Sequence, residues 1–220
     1  MKFDLHTHSV YSPDAFTKPE TMLKVAQKKN FGFAITDHDS TMAWHELKGL
    51  NRKYNVPIIF GQEVSAVDDK GKHAAHIISL FLTEEIKSTN YLEVLDEINS
   101  QGAVSVIAHP FDVFRGKCKC LDEIKHKADL AEVFNSRCYL KSFNKKAEAF
   151  ARENHLGFSA GSDGHFPEEL GMAWADYDTD SIDELQKALL KGKVSTGGRL
   201  SGLIPHAKTQ LRLLGFLAEM

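Results

Sequence analysis

Cysteine is scarce in this chain: its 220 residues include only three, Cys118, Cys120 and Cys138. Three thiols form no even disulfide framework, so a small scaffold held together by disulfides is not indicated. The amino terminus lacks the basic, apolar and small-residue succession of a signal peptide, and no run approaches the roughly 18 to 20 apolar residues of a membrane span. We therefore expect a cytoplasmic protein that does not associate with a membrane.

The chain also lacks a large excess of positive or negative charge. The net charge of −3, with 27 lysines and arginines, gives no broad basic field, so we expect no stable complex with nucleic acid, whereas small anionic substrates fit. Internal repeats and low-complexity tracts are also lacking. With 42% hydrophobic and 26% charged residues, the chain has material for a sizeable core, and we predict one domain over residues 1–220.

Short apolar runs alternate along the chain with segments of helical period. The runs predict strands at 2–5, 31–35, 56–60, 103–108, 130–134, 157–160 and, at the end, 194–195. The helical segments are 19–29, 44–54, 91–99, 144–153 and about 208–217. A polar turn at 68–72, between apolar runs 64–67 and 74–82, predicts a hairpin. This order predicts an α/β fold with about seven parallel-type strands, either a barrel or a doubly wound sheet.

Histidines and carboxylates recur where these apolar runs end. They are His6 and His8, Asp37 and His38, Glu63, His109, and Asp163 and His165. In a barrel the carboxyl ends of the strands meet at one rim, whereas an open sheet would hold the outer residues too far apart. The pattern therefore favours a TIM-like barrel with a metal site at its carboxyl-terminal rim.

The residue types at these positions suit divalent metal ions. His6 and His8 are two residues apart, so on a strand both imidazoles face the same way. The two oxygens of Glu63 could bridge two ions about 3.5 to 4 Å apart, as two-metal hydrolases require. Asp4 and Asp37, each close to a histidine, are expected to orient imidazoles rather than to bind metal. This set of residues predicts a metal-dependent hydrolase.

Several of these motifs occur together and in a recognisable order. They are Asp4-Leu5-His6-Thr7-His8-Ser9 with Ser12-Pro13-Asp14, then Ile35-Thr36-Asp37-His38, Gly61-Gln62-Glu63, Ile107-Ala108-His109-Pro110, Glu132-Val133-Phe134-Asn135 and Gly161-Ser162-Asp163-Gly164-His165. In this combination the chain resembles the polymerase and histidinol phosphatase (PHP) family. The resemblance implies a distorted barrel of about seven strands, two to three ions of zinc, manganese or iron, and hydrolysis of phosphate esters.

The resemblance also implies roles for individual residues. His6, His8 and Asp163 would bind the first ion, and Glu63 would bridge to a second that His109 also holds. Asp14, His38 and His165 would hold the third, although Pro13 separates Ser12 from Asp14 where many members have the serine and aspartate adjacent. Cys138 is either a further ligand or a buried structural thiol. The predicted catalytic residues are Glu63, Asp163 and His165.

Three further residues are candidates for substrate binding. Arg137 and Arg199 have the planar fork that suits phosphate, with a surface charge as the alternative for each. His76 would touch substrate or metal if the predicted hairpin returns it to the rim, and otherwise it is a core histidine. The pair Cys118 and Cys120, without partner ligands in sequence, is interpreted as part of a loop.

The stretch from Glu132 to Cys138 is similar to that of small members acting on nucleotides, such as 3',5'-nucleoside bisphosphate phosphatases and short-RNA 5'-exonucleases. We therefore expect a phosphoesterase whose partner is a small phosphorylated substrate, a nucleotide. The alternatives are histidinol phosphate, protein phosphotyrosine, and a non-catalytic module stabilised by its metals. An amidohydrolase is disfavoured because no lysine stands at a matching strand end.

Overall fold

The computed structural model describes residues 1–177, 181–192 and 194–213, and it has an α/β fold. Its strands are β1 (Lys2–Thr7), β2 (Gly32–Ile35), β3 (Ile58–Val67), β4 (His73–Leu80), β5 (Val104–Ile107), β6 (Leu130–Asn135), β7 (Gly157–Gly161), β8 (Ala173–Asp176) and β9 (Ser195–Gly198). Its helices are α1 (Pro19–Lys29), α2 (Ala43–Tyr54), α3 (Tyr91–Ser100), α4 (Leu121–Ile124), α5 (Lys141–Glu153), α6 (Ile182–Leu190) and α7 (Leu203–Leu213).

The strands form one mixed sheet in the order β7-β6-β5-β4-β3-β2-β1-β8-β9. Parallel pairing joins β1 to β2, β2 to β3, β5 to β6 and β6 to β7. The two ends approach one another where the His8 amide donates to the Gly164 carbonyl at 3.0 Å and the Asp163 amide donates to the His6 carbonyl at 2.7 Å. These bonds nearly close the sheet into a barrel and confirm the TIM-like prediction.

The structure corrects two details of the predicted sheet. The described residues contain nine strands rather than about seven. Four neighbouring pairs are antiparallel, β1 with β8, β3 with β4, β4 with β5 and β8 with β9, so parallel pairing is not general. The predicted hairpin is present, but β3 runs without a break from Ile58 to Val67. The sequence pattern does not predict β8, α4 or α6. The helix predicted at 208–217 begins earlier, at Leu203, and residues 214–217 lie outside the described residues.

Two helices that pack against the first strands have boundaries that local chemistry explains. Pro19 occupies the first turn of α1, where its missing N–H costs nothing, and Asn30 ends that helix in the left-handed conformation at φ 54°. Asn55 ends α2 in the same way at φ 53°. Within the described residues, no helix is long and apolar enough to cross a membrane.

Alternation along the strands places polar side chains above an apolar interior. Ile59 and Glu63 point to the same face of β3, and Leu130 and Glu132 point to the same face of β6. Ile59 and Leu130 belong to a buried apolar cluster, whereas both carboxylates are buried closer to the carboxyl ends of their strands. The barrel interior is thus apolar below and acidic at the carboxyl-terminal rim.

Closure of the barrel requires glycine at position 161. A Cβ added there would lie 2.3 Å from His6 Cβ and 2.6 Å from the His6 amide nitrogen. We expect Gly161→Ala to lower the free energy of unfolding by about 3 kcal/mol, because overpacking forces β1 and β7 apart. Urea denaturation at equal metal content measures this effect.

Gly49→Ala is the matched control for this prediction. Gly49 lies in α2, and a Cβ added there would meet no heavy atom within 4 Å. Alanine favours a helix interior, so we expect this variant to gain about 0.5 to 1 kcal/mol. Equal stability of the two variants would contradict the close packing of β1 against β7.

Candidate metal centre

A cavity of about 220 Å³ opens at the carboxyl-terminal rim of the barrel. Eight of the sequence-predicted site residues line it: Asp14, His38, Glu63, His76, His109, Arg137, Asp163 and His165. Six other side chains complete the lining: Phe114, Arg115, Tyr139, His206, Thr209 and Gln210. His6 and His8 are fully buried beside this cavity. The fold therefore brings candidate ligands from five strand ends to one place.

The first group of ligand-capable atoms belongs to His6, His8 and Asp163. The Nε2 atoms of the two histidines are 3.0 Å apart, and Asp163 Oδ1 lies 3.7 Å from His6 Nε2 and 3.4 Å from His8 Nε2. The other ring nitrogens are held at 3.0 Å by Glu132 Oε1 and at 3.1 Å by Ser12 Oγ. Such contacts fix ring orientation, so the facing nitrogens converge on one point.

Glu63 connects two groups of histidines. Its Oε2 lies 3.2 Å from His6 Nε2 and 3.2 Å from His38 Nδ1. Its Oε1 lies 3.3 Å from His109 Nε2 and 3.6 Å from His76 Nδ1. Glu63, His76 and His109 form the second ligand-capable group. Each carboxylate oxygen of Glu63 thus faces a different set of histidines.

The third group consists of His8, His38 and His165, and Asp14 lies beside it. Asp14 Oδ2 lies 2.9 Å from His165 Nε2, whereas its buried Oδ1 makes no hydrogen bond and is 3.9 Å from His38 Nε2. His8 thus belongs to two groups. A buried carboxylate oxygen without a hydrogen-bond partner fits a cation at this position.

The electrostatics of the carboxylates also favour cations. Burial raises the pKa of Glu63, but the imidazoles of His6, His38 and His76 outweigh burial, and the pKa lies well below its usual value. Burial likewise raises the pKa of Asp163, and His6 together with Arg115 outweighs it. Both groups are therefore negatively charged near neutral pH.

His8 differs in its pKa from His76 and His165. Burial alone would lower the pKa of His8, but Asp163 and Glu63 outweigh it and raise that pKa to about 9. Burial lowers the pKa of His76 to about 3 and that of His165 to about 4. His76 and His165 thus offer lone pairs directly, whereas metal binding at His8 has to displace a proton.

Two candidate ligands have positive φ angles, which are uncommon for residues other than glycine. His109 has φ 27° and Asp163 has φ 55°. Hydrogen bonds hold both: the His109 amide donates to Glu132 Oε2 at 2.8 Å, and the Asp163 amide donates to the His6 carbonyl. Strain of this kind persists where the surroundings overdetermine the backbone, and it aims both side chains at the site.

The imidazoles are oriented by residues other than those the sequence suggested. Asp37 accepts hydrogen bonds from the Ser9 amide at 2.6 Å and from Ser12 Oγ at 2.8 Å, so it reaches His8 only through Ser12. Asp4 accepts from the amides of Ser162 and Gly171, each at 2.7 Å, and anchors the loop after β7. Glu132 was missed in this role, although a carboxylate inside an apolar strand was the signal for it.

Arg115 is a site residue that sequence analysis missed. It ends a short 3₁₀ turn, Val113–Arg115, in the loop after β5. Its guanidinium donates to Asp163, to Asp112 Oδ2 at 3.1 Å and to Asn135 Oδ1 at 3.1 Å. No local pattern marks this arginine as a site residue, because only the barrel brings it to Asp163 and Asn135, whereas Asp112 lies in its own loop.

The remaining predicted residues occupy different places. Arg137 is 3% exposed and lines the rim cavity. Arg199 lines a separate cavity with Lys141 and Lys145. Cys138 is buried, which raises the pKa of its thiol, and it belongs to none of the ligand-capable groups among the described residues. Roles for Arg199 in substrate binding and for Cys138 in metal binding stay predictions.

The chain is similar in sequence to several known proteins. Residues 141–194 match a family model described as PHP-associated. An uncharacterised protein of Methanocaldococcus jannaschii is 34% identical over 192 residues, which span 84% of this chain and 73% of that protein. A 3',5'-nucleoside bisphosphate phosphatase of Chromobacterium violaceum is 35% identical over 77 residues, spanning 35% of this chain and 26% of that protein.

Among solved structures, one similar chain is a two-domain protein of Bacteroides vulgatus containing a predicted PHP-like metal-dependent phosphoesterase. It superposes with a TM-score of 0.74 at 19% identity, and the match covers 90% of this chain and 65% of that chain. At this identity the likeness shows the fold alone.

Proposed function

Because this chain belongs to the PHP family of metal-dependent phosphoesterases, we propose that it hydrolyses a phosphate monoester of a small nucleotide of the 3',5'-nucleoside bisphosphate class. The observation that carries this proposal is the combination of the three linked ligand-capable groups with a buried arginine at one cavity. The relative from Chromobacterium violaceum, named as a 3',5'-nucleoside bisphosphate phosphatase, supports the substrate class.

In this proposal the three groups hold two to three divalent ions. His6, His8 and Asp163 would hold a first ion, Glu63, His76 and His109 a second, and Asp14, His38 and His165 a third. Mixed imidazole and carboxylate ligands suit zinc, manganese or iron. When bound, such ions supply Lewis acidity that offsets charge on the phosphate and makes water nucleophilic near neutral pH.

Arg137 is proposed to bind a phosphate group. Its Nη2 donates to Thr209 Oγ1 at 2.8 Å, but its Nε and Nη1 are buried without a hydrogen-bond partner, and Glu169 Oε1 is 3.7 Å from Nε. Buried donors without acceptors are costly, and a phosphate in the cavity would accept from both. This arginine thus supports a substrate with a phosphate beside the metal centre.

Aromatic rings at the same cavity support a nucleotide over a smaller phosphate ester. Tyr139 and His206 stack with ring centroids 4.0 Å apart, and the Phe114 ring lies 5.0 Å from Tyr139. The Phe114 side chain is 64% exposed although it is large and apolar. A nucleobase has a π face that such rings bind by stacking.

Glu63, Asp163 and His165 are proposed as the catalytic residues at the reacting phosphate. Their charges differ: both carboxylates are ionised, whereas His165 is neutral near pH 7 because burial lowers its pKa to about 4. Glu63 and Asp163 hold the cations in place by charge. His165 Nδ1 lies 2.8 Å from the Asp163 carbonyl, so its Nε2, 2.9 Å from Asp14, carries the lone pair that would hold an ion beside the reacting phosphate.

Phosphate release from four compounds tests this function. Protein stripped of metal and restored with manganese or zinc is assayed with adenosine 3',5'-bisphosphate, AMP, histidinol phosphate and a phosphotyrosine peptide. We expect activity only after metal is restored, and a kcat/KM at least about tenfold higher for the bisphosphate, since a second phosphate adds charge-assisted hydrogen bonds.

The other outcomes of this assay are equally informative. A preference for histidinol phosphate or the phosphotyrosine peptide would overturn the nucleotide assignment and leave phosphoesterase chemistry in place. Inactivity on all four compounds in fully metallated protein would instead favour a module that keeps metals for stability.

A further inference from the structure

Cys118 and Cys120 lie side by side outside the metal centre. Their Sγ atoms are 3.7 Å apart, both residues are free thiols, and they are 6% and 4% exposed. Among the described residues they belong to no group of three ligand-capable side chains, so a separate metal clip has no geometric support. The two sulfurs thus face each other with no assigned role.

Backbone hydrogen bonds connect this pair to the segments that carry two members of the second ligand group, His109 and His76. The Cys118 amide donates at 3.1 Å to the carbonyl of Pro110, the residue after His109. The Lys119 amide donates at 2.8 Å to the carbonyl of Ala74, two residues before His76 on β4. Movement of the pair is therefore transmitted to the backbone on either side of the cavity.

The same loop carries Arg115 into the metal centre. Arg115 precedes Cys118 by three residues and contacts Asp163, Asp112 and Asn135. Cys120 stands directly before α4, where its carbonyl accepts from the Glu123 and Ile124 amides at 3.0 and 3.1 Å. Fixed points on both sides leave the loop from Pro110 to Cys120 little freedom to absorb a change at the thiols.

The two thiols have unequal acidity. The two thiols share a hydrogen bond in which either sulfur can donate. With Cys118 as the donor, this bond raises the pKa of Cys118 and lowers the pKa of Cys120 from its usual value. A thiolate is the nucleophilic form of cysteine, so Cys120 is the sulfur that reacts first with an oxidant.

We propose that Cys118 and Cys120 are a reversible redox site at which a small peroxide forms an intrachain disulfide that loosens metal binding at His76 and His109. The Cys120 sulfur attacks one oxygen of hydrogen peroxide, which gives a sulfenic acid and releases hydroxide. Cys118 then attacks that sulfur, the S–S bond forms, the S–O bond breaks and water leaves. Overall two thiols are oxidised and one peroxide is reduced to two waters.

The geometry explains why the bond would disturb the centre. A disulfide requires about 2.05 Å between sulfurs, whereas the thiols are 3.7 Å apart. Closing that gap across a single intervening residue distorts Lys119, whose amide is bonded to β4. The hydrogen bonds to Ala74 and Pro110 are the contacts placed under strain.

Counting thiols tests the bond itself and needs no substrate. The manganese-loaded full chain is treated with hydrogen peroxide, denatured and alkylated, and its intact mass is measured. We expect two of the three thiols to become protected, with dithiothreitol restoring all three. Peptide mapping should place the bond between Cys118 and Cys120. Three alkylated thiols after peroxide, or a bond to Cys138, would overturn the proposal.

Manganese retention tests the link to the metal centre. Manganese suits the measurement because thiolates bind it poorly, so retention reports on the imidazole and carboxylate ligands. After peroxide is removed, we expect the oxidised protein to lose manganese on dialysis with an apparent Kd at least about tenfold higher, as other changes around metal ligands produce. Unchanged retention in protein that carries the disulfide would overturn the link.

Two variants separate this site from oxidation elsewhere in the chain. Cys118→Ala and Cys120→Ala each leave one thiol of the pair, so neither can form the bond, and we expect both to retain manganese after peroxide. If these variants lost as much manganese after peroxide as the unchanged chain does, the loss would come from oxidation of other groups. That result would contradict the proposal. Because neither readout requires catalysis, failure of the proposed phosphatase activity would leave this test interpretable.

Discussion

Glu63→Gln is expected to lower kcat/KM for phosphate release by about 10³-fold, the size of effect seen when a charged group that organises a transition state is removed. Glutamine preserves the size of the side chain but removes the charge that faces histidines on both sides of the site. Each oxygen of Glu63 lies within 3.6 Å of histidine nitrogens from a different group. One substitution therefore weakens two groups at once.

Metal content distinguishes this explanation from unfolding. We expect the Glu63→Gln protein to retain its circular dichroism spectrum and to hold fewer manganese or zinc ions after dialysis. The control is Glu93→Gln, which makes the same change at an exposed position in α3 and should leave both activity and metal content unchanged. Full metal content together with activity within about tenfold of the original would show that Glu63 does not bridge ions.

Arg137→Met is expected to lower kcat/KM for adenosine 3',5'-bisphosphate by about 10²-fold, because truncating a buried charge that binds an anion costs about 2 to 5 kcal/mol. Two guanidinium nitrogens of Arg137 are buried without a hydrogen-bond partner, although Nε forms an ion pair with Glu169 at 3.7 Å, and a phosphate in the cavity would accept hydrogen bonds from them. Arg137→Lys keeps the charge but loses the planar fork, and we expect an intermediate loss.

A second substrate identifies what Arg137 contacts. With p-nitrophenyl phosphate, which has a single phosphate and no nucleoside, Arg137→Met should lose far less activity than with the bisphosphate. Arg152→Met is the matched control, since Arg152 is exposed on α5 and pairs with Glu148. Equal losses on both substrates would mean that Arg137 supports the reacting phosphate or the fold rather than a second phosphate.

Elements with strong local signals were predictable from sequence. The structure gives α1 the predicted bounds, Pro19 to Lys29, because a proline at its start and Asn30 at its end are decided within the helix itself. By contrast, β8 is four residues long and contains no periodic run long enough to detect. Its place in the sheet depends on antiparallel pairing with β1, more than 160 residues earlier in the chain.

The sequence by itself determined which side chains are available for a metal centre and that they stand where strands end. His6, His8, Glu63 and Asp163 could be chosen because residue type and strand position are both local properties of the chain. Their common location at one rim followed from the general geometry of barrels.

Only the tertiary structure decided how these groups meet. The contact between His6 and Glu132 joins residues 126 positions apart, and that between Arg115 and Asp163 joins residues 48 apart. The facing thiols of Cys118 and Cys120 likewise depend on a loop held by bonds to Pro110 and Ala74. Such contacts arise from sheet register and barrel closure, which depend on packing of the whole chain and leave no periodic pattern in any one segment.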